Sequence, residues 1–293
     1  MFKEPILQDQ VAIVTGGGTG LGLEIARQYA LHGARIAIGS RKPDNLAAGK
    51  AALEESGAEV FTHAMDVREP ASIRAFLTAV LERFGRVDIL VNNAAGNFLY
   101  PAEKLPLRAW RSVIDIVLNG SFYCSQIIGQ HMIERGSGLQ LNILATYAWT
   151  GGPGTIHSAS AKAGVLAMTR TLAVEWARYG VRVNAIAPGP FDTQGASTRL
   201  WPTDEMEKAV AERIPLKRFA GTEEVARAAL YLASPYAGYI TGECLTIDGG
   251  GWLGRGIGDA VDLLDDFDSL RTASKKARIR GAGDLPAGSD QSE

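Results

Sequence analysis

The chain has 293 residues, 46% of them hydrophobic and 21% charged, with a formal net charge of -2. A chain of that length buries a full core without disulfide or metal staples, and its charge balance gives no electrostatic case for nucleic acid, whose binders usually carry a basic face. A small-molecule partner is expected instead. Two cysteines, Cys124 and Cys244, sit in no metal-ligand or redox pair, which fits a reducing compartment. The amino terminus has no basic start followed by an apolar run, and no stretch approaches ~20 uninterrupted apolar residues. Neither a secretory leader nor a membrane span is therefore expected. The expected location is the cytoplasm, or an organelle matrix if the chain derives from a longer precursor.

In chain order, short β-branched runs alternate with longer amphipathic ones. Strands are expected at Val11 to Thr15, Arg35 to Ile38, Glu59 to His63, Ile89 to Asn92, Leu139 to Leu144, Arg182 to Ala187 and Cys244 to Ile247. Helices are expected at Gly22 to His32, Asp44 to Ser56, Pro70 to Phe84, Leu107 to Arg135, Ser158 to Tyr179 and Thr222 to Leu232. Several of the strands are apolar throughout, as strands covered on both faces are. The alternation predicts an α/β fold: one doubly wound parallel sheet in a single Rossmann-like domain spanning about residues 1–258. Residues 188–215 interrupt the alternation with polar, proline- and glycine-bearing sequence and read as a substrate loop. Residues 259–293 read as a charged, solvated C-terminal tail.

After the first strand comes Thr15-Gly16-Gly17-Gly18-Thr19-Gly20-Leu21-Gly22, opening a helix. Glycines there let the backbone turn tightly and approach a pyrophosphate, and the helix amino terminus supplies free N–H groups and a favourable dipole. The second strand ends at Ser40-Arg41-Lys42, with no acidic residue to take the ribose hydroxyls of NAD. Arg41 and Lys42 suit a 2′-phosphate, so NADP(H) is the expected cofactor. Asp66-Val67, after the third strand, has groups to hold the adenine, although Asp66 equally suits a helix cap.

These motifs resemble the short-chain dehydrogenase/reductase family. The glycine run matches its cofactor motif, and Asn92-Asn93-Ala94-Ala95-Gly96 is similar to the segment after its fourth strand. Pro188-Gly189-x-x-x-Thr193 resembles its nicotinamide-side loop, Asn119 its helix asparagine, and Asp248-Gly249-Gly250 the close of its last strand. The resemblance spans about Asp9 to Gly251. It implies that Gly16, Thr19, Gly20, Leu21, Gly22, Asn93, Ala94, Lys162, Pro188, Gly189, Phe191 and Thr193 join Arg41, Lys42, Asp66 and Val67 around the cofactor.

One departure narrows the reading. The family's tyrosine, four residues before its lysine, is replaced by Ser158 ahead of Lys162, and the upstream serine position holds Ala145. A serine hydroxyl is a far poorer acid than a phenol with pKa ~10, so ordinary carbonyl reduction is not expected. Tyr147, eleven residues before Ser158, stands just past the fifth strand. That displaced tyrosine, with Asn97, resembles the 2,4-dienoyl-CoA reductases. The resemblance implies an acyl-CoA thioester substrate and NADPH-dependent reduction of a 2,4-dienoyl-CoA to a 3-enoyl-CoA in β-oxidation. Hydride would reach the δ carbon, and Tyr147 and Asn97 would stabilise a dienolate oxygen. Lys162 would hold the nicotinamide ribose, Ser158 would bond the substrate or orient its neighbours, and Asn119 would support Lys162 through a water. His157 beside Ser158 does not make a hydrolase pair, because adjacent helix residues do not face each other.

Two other readings compete: another member of the family acting on a ketone, alcohol or enoyl thioester, and a non-catalytic NADP-binding regulator. Lys162, Asn97 and the complete glycine loop speak against the regulator. The long helices Leu107 to Arg135 and Ser158 to Tyr179 are apolar for surface elements, and the family uses the corresponding helices for subunit contacts. A homotetramer or homodimer is therefore expected. No metal is expected.

Overall fold

Strands that are apolar on both faces need cover on both faces, and the computed structural model, which describes residues 4–191 and 203–253, supplies it. Seven strands form one parallel sheet in the order β3-β2-β1-β4-β5-β6-β7. They are β1 Val11–Thr15, β2 Arg35–Ser40, β3 Val60–Ala64, β4 Ile89–Asn92, β5 Gly138–Ile143, β6 Val181–Pro188 and β7 Cys244–Ile247. β1 pairs with β2 on one side and β4 on the other, so the strand order reverses between β1 and β4. In an open parallel sheet, the crevice beyond the carboxyl ends at such a reversal is where ligands bind.

The helices are α1 Gly20–Leu31, α2 Pro43–Glu54, α3 Pro70–Phe84, α4 Leu107–Ile114, α5 Gly120–Arg135, α6 Tyr147–Thr150, α7 Ile156–Trp176, α8 Asp204–Glu212 and α9 Thr222–Ala233. Side chains alternate along β1 as the two-residue strand period requires. Ala12 and Val14 join a core with Ile25 and Tyr29 of α1 and Val225 and Leu230 of α9. Val11 and Ile13 join another with Phe76 and Val80 of α3 and Ile128 and Met132 of α5. Cys124 lies wholly buried in that second core, and burial pushes its thiol up to about 12.

Several elements differ from the expectation, among them the unforeseen short helix α6 and shifts of one to three residues at element ends. The run from Leu107 to Arg135 is not one uniform helix: a π-helical turn, Asp115–Asn119, separates α4 from α5. One extra residue in a turn leaves the apolar stripe on both sides intact, so periodicity does not reveal it. α7 begins at Ile156, earlier than expected, and closes through a 3-10 turn, Ala177–Tyr179. The segment read as a loop over 188–215 contains α8, whose amino terminus is capped by Thr203 accepting from the Met206 N–H. Its acidic first turn suits the helix dipole, but it buries none of its residues, so the hydrophobic pattern carries little sign of it. Residues 192–202, which include Thr193, and the expected tail at 259–293 lie outside the described residues. Contacts group the described residues up to Trp252 into one compact unit. No described helix is long and apolar enough to cross a membrane.

Candidate active site

The loops after β1, β2, β3, β4, β5 and β6 all leave the same edge of the sheet, because every strand is parallel. At β1 the backbone turns through Gly16 at φ +66° and Gly20 at φ +53°, conformations that favour glycine. A Cβ on Gly22 would fall 2.4 Å from Asn93 Nδ2, so α1 starts pressed against the loop after β4. Thr19, the N-cap of α1, makes no side-chain cap bond. Helix geometry therefore leaves first-turn N–H groups, those of Gly20, Leu21 and Gly22, for an anion. The Thr15 hydroxyl stitches this loop to the next: it donates to Val91 O (3.2 Å) and accepts from the N–H groups of Asn93 and Ala94, both at 3.0 Å.

Arg41 and Lys42 are exposed beyond β2, and Arg41 lies close enough to Asp66 to favour its charged form. Asp66 does not cap α3; Glu69 occupies that position. The Asp66 carboxylate instead accepts from Arg68 Nε at 3.0 and 3.1 Å, and this guanidinium holds its pKa below the usual carboxylate value. Val67 is buried beneath it. On the other side of the crevice Pro188 closes β6, and the Gly189 N–H donates to Ile247 O at 2.9 Å. A Cβ at Gly189 would lie 2.6 Å from Asp248 Cβ, which explains a glycine there. Phe191 forms a parallel bridge with Ala220.

Lys162, on α7, is buried, with its ammonium donating to the Ile143 carbonyl at the end of β5. Burial without a carboxylate partner lowers its pKa to about 8. The glycine cradle, the uncapped helix start and this enclosed cation together fit a nicotinamide dinucleotide: phosphates at α1, ribose hydroxyls at Lys162.

Three side chains meet at Ser158, one turn before Lys162 on α7. The Asn97 amide donates to the Tyr147 hydroxyl at 3.3 Å, and that hydroxyl lies 3.0 Å from Ser158 Oγ. Asn97 comes from the loop after β4, Tyr147 from the start of α6 and Ser158 from α7. Asn97 Oδ1 accepts from the Phe98 N–H at 2.9 Å, which orients the amide so that its NH₂ faces the phenol. Burial raises the Tyr147 pKa, with the Ser158 hydrogen bond pulling the other way. The phenol therefore stays protonated near neutral pH and serves as a hydrogen-bond donor. When Ser158 and Asn97 both donate to its oxygen, its own proton is left to point at a substrate atom, and each bond strengthens the next.

A buried polar chain fixes α7, which carries Ser158 and Lys162, to the sheet. Asn92 Nδ2 donates to Asn142 Oδ1 (2.8 Å) and to Ser125 Oγ (2.9 Å), and Asn142 Nδ2 donates to Thr169 Oγ1 (2.8 Å). It ties α5 and α7 to β4 and β5, seven residues down α7 from Lys162. Asn119 donates to Asp115 Oδ1 at 3.0 Å across the π turn. His157, as expected, makes no pair with Ser158: its ring packs on Phe98. Sequence reasoning passed over that contact, and over Arg68, because nothing in the local pattern marks either. Among the described residues no cluster of His, Cys, Asp and Glu is arranged to hold a metal ion.

A doubly wound sheet that gathers a phosphate cradle, an enclosed lysine and a protonated phenol at one edge defines a dinucleotide-dependent oxidoreductase. Residues 16–251 match the family model described as Enoyl-(Acyl carrier protein) reductase. The chain is 43% identical over 249 residues to a probable 2,4-dienoyl-CoA reductase, (2E)-enoyl-CoA-producing, of Bacillus subtilis, covering 84% of this chain and 98% of that one. It is 42% identical over 254 residues to a peroxisomal 2,4-dienoyl-CoA reductase, (3E)-enoyl-CoA-producing, of Danio rerio, covering 86% and 85%. A crystal structure of a short chain dehydrogenase from Bacillus anthracis superposes with a TM-score of 0.76 at 49% identity, covering 83% of this chain and 96% of that one. The chain belongs to the short-chain dehydrogenase/reductase family and is an oxidoreductase.

Proposed function

We propose that the protein reduces 2,4-dienoyl-CoA thioesters to 3-enoyl-CoA with NADPH. The observation that carries this reading is the Asn97–Tyr147–Ser158 triangle: an amide that donates and a serine hydroxyl at hydrogen-bond distance converge on a phenol displaced from the position of the family's usual tyrosine. The relatives' names support the substrate class, although they differ in the double bond left in the product.

The reduced nicotinamide, when bound, would provide the hydride that the δ carbon of the conjugated chain accepts. The chain's own residues do the rest. Tyr147 O–H and Asn97 N–H donate to the thioester oxygen, where negative charge gathers as the dienolate forms. Donors preset in a water-poor site stabilise such charge without reorganising. Ser158 donates to the Tyr147 oxygen and sharpens the phenol as a donor. Lys162 holds the ribose hydroxyls and adds a positive field. Protonation at the α carbon then gives the 3-enoyl product. Arg41 and Lys42 select the 2′-phosphate, while Asp66, oriented by Arg68, and the Val67 backbone hold the adenine. Asn93, Ala94, Pro188, Gly189 and Phe191 line the remaining cofactor surface.

The test is NADPH oxidation with dienoyl-CoA substrates of several chain lengths, with the product double bond located by NMR. Consumption yielding a 3-enoyl-CoA is expected. Cofactor binding without consumption at any chain length would overturn the assignment, and a 2-enoyl product would overturn protonation at the α carbon. Association through the α4–α5 and α7 faces, where Leu107, Phe122 and Val174 are exposed, is part of the same proposal. A monomer mass by light scattering would exclude it.

A further inference from the structure

His157 is a titratable side chain that the mechanism leaves unused. It is fully buried, and neither ring nitrogen has a hydrogen bond of ordinary geometry among the described residues. The nearby Thr155 backbone favours the protonated ring, but burial outweighs it and lowers the ring's basicity. The imidazole is thus held as an aromatic surface. Its partner is Phe98, whose ring meets it edge to face, with centroids 4.3 Å apart and planes at 77°. Edge to face is a favoured orientation for aromatic pairs, and the separation marks a close contact.

The placement of the pair in the chain is informative. Phe98 directly follows Asn97, and its N–H holds the Asn97 carbonyl oxygen. His157 directly precedes Ser158. Two of the three corners of the catalytic triangle therefore have an immediate neighbour in the aromatic contact. A second strap runs alongside it: the Tyr100 N–H donates to Gly154 O at 2.8 Å, joining the same loop to the approach of α7. Phe98 also packs against the small core of Val113, Val117 and Ala161, so its ring is anchored on both α4 and α7.

We propose that the Phe98–His157 contact is a positioning clamp, which seats the loop after β4 on the start of α7 and so aims the Asn97 amide at the oxygen that Tyr147 also serves. Neither residue touches the reacting atoms; both act through Asn97. This rests on the dienoyl-CoA reading above. Asn97 stands on a loop, so its aim depends on what pins that loop, and a misplacement of about 1 Å is enough to cost on the order of a hundredfold in rate.

The experiment is a double-mutant cycle on the full chain, read by steady-state turnover of 2,4-hexadienoyl-CoA, by NADPH titration and by thermal melting. Phe98→Ala is expected to lower kcat on the order of tenfold to a hundredfold while leaving NADPH affinity within about twofold. In an Asn97→Ala background the same substitution is expected to cost almost nothing further, because residues acting through one another are non-additive. His157→Phe is expected to recover most of the turnover that His157→Ala loses. Native turnover in Phe98→Ala, an equal fall in both backgrounds, or loss of NADPH binding along with turnover would each overturn the clamp. If Phe98→Ala does not fold, Phe98→Leu, which keeps apolar volume and removes the ring, carries the same test. A native chain inert on the substrate overturns the functional reading and the clamp with it; an active native chain with an indifferent Phe98 overturns the clamp alone.

Discussion

The glycine cradle and the Asn97–Tyr147–Ser158 triangle, proposed as cofactor and catalytic sites, stand at the same edge of the sheet, yet they are built in different ways. The cradle is backbone: glycines at 16 and 20 with positive φ, a glycine at 22 pressed on Asn93, and the open amino terminus of α1. It is almost complete within eight consecutive residues. The triangle is side chain: Asn97 arrives from the loop after β4, Tyr147 from the start of α6 and Ser158 from α7, and they meet only because the fold brings these segments together. A backbone site tolerates little added volume. A side-chain site tolerates small changes in volume but depends on polar atoms and on whatever orients them.

Substitutions can break or sharpen that contrast. The largest effect is expected from Tyr147→Phe, which removes one donor and no volume. Its kcat should fall on the order of 10²- to 10³-fold with NADPH affinity unchanged; an equal loss of cofactor binding would erase the distinction between the two regions. Lys162 joins them, and its signature is a pH dependence of stability. Its folded pKa is lowered to about 8, so between about pH 8 and the unfolded value of ~10.4 the unfolded chain binds a proton that the folded chain has released. Native stability should therefore rise with pH across that window, by up to about 3 kcal/mol, relative to Lys162→Met. Urea melts at either end of the window check the sign, and parallel curves would show that the lysine is not buried as described.

Gly22→Ala follows. Its Cβ would meet Asn93 Nδ2 at 2.4 Å, and overpacking of this kind costs roughly 1–3 kcal/mol. Thermal melting should show the loss, with weakened NADPH binding as its counterpart. The smallest effect is expected from Arg41→Ala combined with Lys42→Ala: about tenfold weaker NADPH binding with NADH binding unchanged, since only the 2′-phosphate contact is lost. Equal weakening of both would place these residues outside cofactor selection.

Strand identities and the doubly wound order were legible in the sequence because apolar β-branched runs and amphipathic stretches have different periods. β1, β4, β7 and α3 fall where the pattern puts them. The cradle was legible for a related reason: its geometry is local, and glycine is the residue that such geometry needs. Periodicity did not reveal the π turn at Asp115–Asn119, nor the helix α8, which is short, with none of its residues fully buried.

The sequence by itself determined that a dinucleotide edge exists, that Ser158 stands where a phenol is usual, and that Tyr147 lies within reach of the same helix. Only the tertiary structure decided that Tyr147, Asn97 and Ser158 share hydrogen bonds, that Asp66 is engaged by Arg68, and that Phe98 rests on His157. Except for the Asp66–Arg68 pair, these contacts join residues separated by 11 to 59 positions. No local propensity encodes such contacts, because they arise only when strand order brings loop ends together. Even the Asp66–Arg68 pair depends on side-chain orientation, which residue spacing alone does not set.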